Sequence, residues 1–328
     1  MEANESAKPI GPQAESKLGA AGPGVAPARR EWIAVEERGS NLGMKLLLGA
    51  VTLFGRSVGR ALVAPIALFY VLVDRSLRRD SHAFLQRAEQ DASFAAVYKH
   101  VLRFAQCALD RIFFLRGQKE LFEITLDGHD TVLSLRERQV GAIFLGAHLG
   151  SFEAMRMASA ASDVPLNVVM NNANAMRMRA LIHTLDPNGS IRIIETADGG
   201  VELALRVREA IDRGELVAIL GDRVTSGERS LRATFFGEPA DFPVGPYLLA
   251  SALGCPVFLT FGLYRGGNRY DLYCEPFAER IVLRRPREAS LQAWVDRYAA
   301  RLEHYCRLAP DNWFNFFDFW SGDDVSES

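Results

Sequence analysis

The sequence predicts an α/β protein: a single domain with a mixed sheet flanked by helices, preceded by an N-terminal hydrophobic helical segment with the character of a membrane anchor. Three observations predict it. From Glu123 onward, short apolar runs of strand character alternate with segments of helical periodicity, the order expected of a sheet with helices on its faces. Between Leu46 and Val73 lie two apolar runs that do not share that alternation. Hydrophobic residues make up 48% of the 328, enough for a sizeable core, and no repeat or linker divides the alternating part.

Taken in order, residues 1–29 are rich in Ala, Gly, Pro and Ser without apolar periodicity, and are expected to form a disordered tail. No apolar core follows a basic start there, so a cleaved signal peptide is not expected. Residues 321–328 read as a second tail. Residues 30–80 form the hydrophobic segment. Its runs, Leu46–Gly55 and Ala61–Val73, are separated by Arg56 and Arg60. Each is shorter than the roughly 18 to 20 residues that span a bilayer. Together they make a hairpin or one interrupted helix, closed by Arg75, Arg78 and Arg79. One reading is an interfacial anchor whose arginines sit among anionic headgroups while Phe54, Phe69 and Tyr70 enter the acyl region. The other is a pair of buried core helices. So much apolar surface at a domain edge favours the anchor, and the arginines after the run agree with the positive-inside rule.

Residues 81–320 read as one folded domain. From Ser81 to Arg116, Phe84, Leu85, Phe94, Val97, Val101 and Leu102 recur at spacings of three and four, which predicts one or two amphipathic helices. Strands are then expected at Phe122–Leu126, Val140–Ala147, Leu166–Met170, Ile191–Ile194, Leu216–Gly221, Ala233–Phe236, Pro256–Tyr264 and Tyr270–Glu275. Helices are expected at Ser151–Ala161, Ala175–Leu185, Gly200–Arg213, Val244–Leu253 and Ser290–Leu308.

A net charge of −2 and a pI near 6.3 give no global argument for nucleic acid, so a basic site must be local. Four widely spaced cysteines without a CxxC suggest a reducing compartment and buried thiols. There is no P-loop, dinucleotide fingerprint or metal-ligand cluster, so neither cofactor nor metal is expected. No Ser or Cys sits in a nucleophile elbow.

Chemistry concentrates at Val140–Glu153, VGAIFLGAHLGSFE. An apolar strand ends in a small-residue turn that presents His148, and Glu153 follows in a new helix. A neutral histidine can take a proton from a hydroxyl when a carboxylate holds its ring, and the C-terminal ends of strands are where α/β sheets bind ligands. Against this stands a glutamate that merely complements the helix dipole. A capping box from Ser151 would place the acid at 154, which is Ala, so capping does not account for Glu153.

Further segments could serve the same site. Asp222 and Arg223 end a second apolar strand, where an arginine fork suits a phosphate; a solvated loop is the plain alternative. In Ala233–Pro246, the Gly and Pro residues punctuate a rigid loop, and Phe235, Phe236 and Phe242 either line an apolar pocket or pack in the core. Asn174 and Arg177 come after the strand at Leu166–Met170. Residues 313–320, WFNFFDFW, hold six aromatics in eight positions, a closing segment or an interfacial one.

These motifs carry a resemblance. His148-x4-Glu153 after a strand resembles the His-x4-Asp/Glu motif of the glycerolipid and lysophospholipid acyltransferases. The wider context, from about Trp32 to Trp320, is similar to the bacterial lipid A biosynthesis late acyltransferases. The most specific match is FFGEPADFPVGP, which resembles that family's FFG-x-PA-x-FP-x-GP segment. The resemblance implies a transferase at the cytoplasmic face of the bacterial inner membrane. It would move a fatty acyl group from acyl carrier protein or acyl-CoA to a hydroxyl of a lipid A-like or other glycolipid acceptor. It implies His148 as general base oriented by Glu153, with Asn174, Arg177, Asp222, Arg223 and Phe242 toward substrate. Two departures stand out: Asn171 and Asn172 occupy the place where the family carries an arginine, which bears on the acceptor, and Arg223 replaces the second half of an acidic pair. The extended C-terminal aromatics resemble the branch associated with aryl polyenes. A non-enzymatic lipid-binding protein and an esterase are the other classes consistent with these residues.

Overall fold

Runs of Val, Ile, Leu and Phe bounded by glycine or polar turns become strands, and they do so in the expected order. The computed structural model describes residues 41–161, 165–170, 191–196, 200–225 and 227–320, all within one unit, Arg38–Ser328. The two expected tails, the expected helix at Ala175–Leu185, and Asn174 and Arg177 lie outside the described residues.

Three helices come first: α1 (Asn41–Val73), α2 (Arg75–Arg87) and α3 (Phe94–Leu115). The alternating part continues as β1 (Glu123–Asp127), α4 (His129–Glu137), β2 (Ala142–Gly146), α5 (Phe152–Ala161), β3 (Leu166–Met170), β4 (Ile191–Glu195), α6 (Gly200–Asp212) and β5 (Leu216–Leu220). A hairpin of β6 (Ser230–Phe235) and β7 (Glu238–Pro243) precedes α7 (Gly245–Leu253), β8 (Val257–Gly266), β9 (Arg269–Ala278) and α8 (Arg287–Leu308). The main sheet has seven strands in the order β1-β9-β8-β2-β5-β3-β4. Only the β8–β9 pair is antiparallel, so the sheet is mixed, as expected. Every residue of β2 is buried. That is the signature of a parallel strand covered on both faces, and it explains the unbroken apolar run in the sequence.

The punctuated loop after Ala233 is instead the second arm of a hairpin. Phe236 and Gly237 both take positive φ, 52° and 81°, and form the two-residue turn that matches strand twist. A phenylalanine is strained there; its N–H donates to Glu303 Oε2 at 2.6 Å, which holds the turn against α8. Pro239 and Pro243 are tolerated because this ribbon has only two strands. Pro246 lies in the first turn of α7, as expected.

The N-terminal segment is one interrupted helix: α1 breaks at Gly55 (φ 78°, ψ −175°). Val51, Gly59, Val63, Ala67 and Val71 recur every fourth residue, or twice that, and form its buried face against α3. Their small size permits close approach; a Cβ at Gly59 would meet Leu109 at 3.0 Å. Leu53, Phe54, Phe69, Leu72 and Val73 stay more than half exposed. The expectation that all the arginines sit among headgroups is corrected for Arg56 and Arg60. Arg56 reaches Asp110 of α3 through Nε (2.7 Å) and Nη2 (2.8 Å), and Arg60 Nη2 joins at 3.1 Å. Asp110 is fully buried and also accepts from the Tyr270 hydroxyl at 2.8 Å. A buried carboxylate must be paired, so these arginines turn inward and latch α1 to the domain. Asp74 then caps α2, accepting from the N–H groups of Ser76 and Leu77. That draws Arg75, Arg78 and Arg79 into a second helix.

The aromatic C-terminus belongs to the core. Trp313 is fully buried, with ring centroids 4.8 Å from Phe84, 5.2 Å from Phe235 and 4.7 Å from Phe319. The hairpin phenylalanines and the C-terminal aromatics are thus two halves of one cluster.

Candidate active site

The site is built on two neighbouring central strands. In the parallel register of β2 and β5, Gly146 pairs with Leu220. Two residues farther on each chain stand His148 and Asp222, and they meet. His148 Nδ1 is 2.8 Å from Asp222 Oδ1, and the His148 N–H donates to Asp222 Oδ2 at 3.0 Å.

The turn that presents His148 depends on two glycines. Gly150 has φ +72°, and a Cβ there would lie 1.9 Å from the Gly262 carbonyl oxygen. A Cβ on Gly262 would lie 2.4 Å from the Ser151 oxygen. Backbone bonds lock the turn on both sides: Gly150 N–H donates to Asn312 O (2.8 Å), Ser151 N–H to Gly262 O (2.7 Å) and Phe314 N–H to His148 O (2.8 Å). Ser151 Oγ accepts from Ala154 N–H at 3.2 Å, as an N-cap does. The amides of Gly150 and Ser151 are therefore committed to the fold.

Charge around the ring is arranged to keep it neutral. Burial lowers the His148 basicity, and Arg223 and Arg111 push the same way, outweighing Asp222. Burial alone would raise the Asp222 carboxyl, but His148 and Arg223 outweigh it and hold the group well below the usual carboxylate range. An ionised Asp222 only accepts, so the neutral imidazole carries its proton on Nδ1 and presents the Nε2 lone pair. The side chain keeps 29% of its surface exposed while Asp222 has none.

The carboxylate on the ring is thus Asp222, and Glu153 is elsewhere. Glu153 lies in the first turn of α5 on the face toward α3, buried, with Oε1 2.6 Å from Arg111 Nε. Asp222 is corrected from a substrate contact to a support for His148, because its oxygens are wholly enclosed. Arg223 donates from Nε to Asn315 Oδ1 (2.6 Å) and from Nη2 to Phe314 O (2.9 Å), and burial pushes it down to about 10. It stays charged at neutral pH. Phe242 is corrected likewise: it is fully buried against Phe235, Tyr298 and Phe319 and lines no open pocket. A small pocket beside the turn is lined instead by Gly146, Ala147, Leu149, Leu220 and Gly262, among others.

Sequence reasoning missed Arg111, Asn312 and Asn315. Asn312 bridges Tyr264, accepting from its N–H (2.7 Å) and donating to its carbonyl (3.1 Å). Asn315 Nδ2 donates to Asp222 Oδ2 at 3.1 Å. The only sequence signal for either was two polar residues in an aromatic run.

A family model for bacterial lipid A biosynthesis acyltransferases matches residues 104–321, which include every element of this site. The chain belongs to that family. Membership points to transfer of an acyl group to a lipid acceptor, in a membrane-associated family. A search of curated proteins found no match. The apolar stretch Val51–Val73 of α1 is long and apolar enough to cross a membrane by length and composition.

Proposed function

We propose that this family member transfers a fatty acyl group from an acyl thioester, carried by acyl carrier protein or coenzyme A, to a hydroxyl of a lipid A-like or other glycolipid. An aryl polyene lipid is the alternative acceptor. The observation that carries the reading is His148, held at Nδ1 by a buried carboxylate at the C-terminal end of the central strand. In this mechanism Nε2 removes the acceptor hydroxyl proton as the oxygen attacks the thioester carbonyl. The tetrahedral intermediate collapses, the C–S bond breaks, and the departing sulfur takes the proton from the imidazolium. Asp222 stabilises that imidazolium and fixes its tautomer. Glu153 acts one step removed, by holding Arg111 near the ring. The reaction sits on the cytoplasmic face of the inner membrane, where the exposed outer face of α1 meets lipid.

The test is lipid mass spectrometry of the native host carrying wild-type protein, a deletion, or His148→Ala. One lipid species loses a single acyl mass in both altered strains, and its deacylated partner names the acceptor. In vitro, His148→Ala lowers kcat at least about a hundredfold. For the wild type, the acid limb of kcat/KM falls below the ordinary histidine value of about 6.5, because the ring stays neutral there. If the deletion changes lipids and His148→Ala does not, the protein acts by binding. Free acid released equally with and without acceptor lipid marks an esterase.

A further inference from the structure

The C-terminal strap is part of the reaction centre. Residues 312–315 run beneath the His148 turn, joined to it by Gly150 N–H to Asn312 O and Phe314 N–H to His148 O. The strap is itself anchored from below: His100 Nε2 lies 3.0 Å from the Trp313 carbonyl, and Asn312 is fixed to Tyr264. At its end, Asn315 is 1% exposed and lies between the two charged residues at the end of β5. Its amide NH2 donates to Asp222 Oδ2, and its carbonyl accepts from Arg223 Nε.

We propose that Asn315 is a positioning residue for acyl transfer: its amide bridges Asp222 and Arg223, keeping the carboxylate seated on His148 and the guanidinium off it. This rests on the reading of His148 as the general base. The chemistry of the position is narrow. An amide both donates and accepts, as this bridge requires, whereas a carboxylate only accepts and an alkyl group does neither. Without the bridge, Arg223 Nε is released beside a carboxylate that a guanidinium fork matches two bonds at a time, while Nη2 keeps its bond to the Phe314 carbonyl. Arg223 would draw Asp222 away from Nδ1. The charged groups acting on His148 are Asp222 and Arg223 after β5 and Arg111 from α3, the last paired with Glu153 of α5. Tyr298 of α8 bears on Asp222, its hydroxyl fixed on the Gly146 carbonyl at 2.8 Å. Asn315 is an uncharged group bonded to both Asp222 and Arg223.

Two variants test this in the full chain, purified in detergent. The deciding readout is the downfield proton resonance of the His148 Nδ1–H hydrogen bond, assigned by its loss in His148→Ala and recorded without substrate. Asn315→Leu loses that resonance, and its kcat falls about tenfold to a hundredfold with KM little changed. Asn315→Asp is a conditional replacement. Protonated, its carboxyl donates and accepts as the amide does; ionised, it faces Asp222 as a like charge. Its resonance and its kcat relative to wild type therefore decline as the pH rises through the titration of that carboxyl. A role in packing alone leaves the ratio flat. Persistence of the resonance in Asn315→Leu, or in Asn315→Asp at every pH, overturns the proposal whatever happens to turnover. Should Asn315→Leu fail to fold, the Asn315→Asp series decides by the same criterion. The base assignment fails separately: it falls if His148→Ala retains turnover, while the spectrum still judges the bridge.

Discussion

At the residue scale, the His148–Asp222 contact depends on where a turn can go. The chain must reverse from β2 into α5 while passing within contact distance of β8, and only a residue without a Cβ fits at Gly150. Its positive φ adds a second demand that alanine meets poorly. Gly150→Ala is expected to move the turn off Gly262, break the Ser151 N–H bond to Gly262 O, and lift His148 from Asp222. The expected outcome is destabilisation of about 1–3 kcal/mol with a larger loss of kcat than of stability at permissive temperature. Denaturant unfolding and acyl transfer measured on one preparation check it. An equally active, equally stable variant would contradict the geometry. The candidate base itself was legible in the sequence: a histidine in a small-residue turn after an apolar run stands where sheets of this class bind ligands. Its partner was not. Glu153 was near in sequence, but a helix turn rotates it toward α3, whereas Asp222 arrives through strand register.

At the scale of elements, α1 has two unlike faces. Its inner stripe is small and its Arg56 and Arg60 are both paired with Asp110, while large apolar side chains cover the outside. Transferring that outer face from water to lipid is favourable in proportion to its area. Replacing Phe54, Phe69 and Leu72 together by serine is expected to weaken binding to vesicles containing anionic phospholipid by at least about tenfold, since three large side chains contribute roughly 1.5 kcal/mol or more each when buried. Flotation of wild type and triple variant measures it. Unchanged flotation would remove α1 from the membrane contact. The apolar runs were plain in the sequence. That Arg56 and Arg60 face inward was not, because their partner Asp110 is 50 or more positions away.

At the scale of the molecule, a buried histidine joins three parts of the chain. His100 of α3 bonds Ser81 of α2 through Nδ1 (2.8 Å) and the Trp313 carbonyl through Nε2 (3.0 Å). A carbonyl only accepts, so Nε2 carries the proton and Nδ1 accepts from the serine hydroxyl. Complete burial pushes this ring down to about 4. An unfolded histidine titrates near 6.5, so the folded state binds fewer protons below that value. Stability from neutral His100 is therefore fully present above about pH 6.5 and is lost as the pH falls toward 4, on the order of 3 kcal/mol in all. Unfolding midpoints of wild type and His100→Gln between about pH 7 and pH 4 test it. The variant should show the flatter dependence, and equal slopes would rule His100 out as the acid-sensitive link. Because the same strap carries Asn315, acid loosening at His100 is expected to reach the His148 turn before global unfolding.

By itself the sequence determined the α/β class, the seven strands of the main sheet to within a few residues, the family, and the histidine at a strand end. These are local properties: apolar periodicity, turn chemistry and short motifs are written in neighbouring residues. Tertiary structure alone decided that Asp222 takes the ring, that Glu153 pairs with Arg111, that Phe242 is core, and that the C-terminal aromatics pass under the His148 turn. The physical reason is that each of these depends on which strands are adjacent and in what register. Hydrogen bonds and ion pairs are specific in space, and no local pattern records a partner brought in from a distant part of the chain.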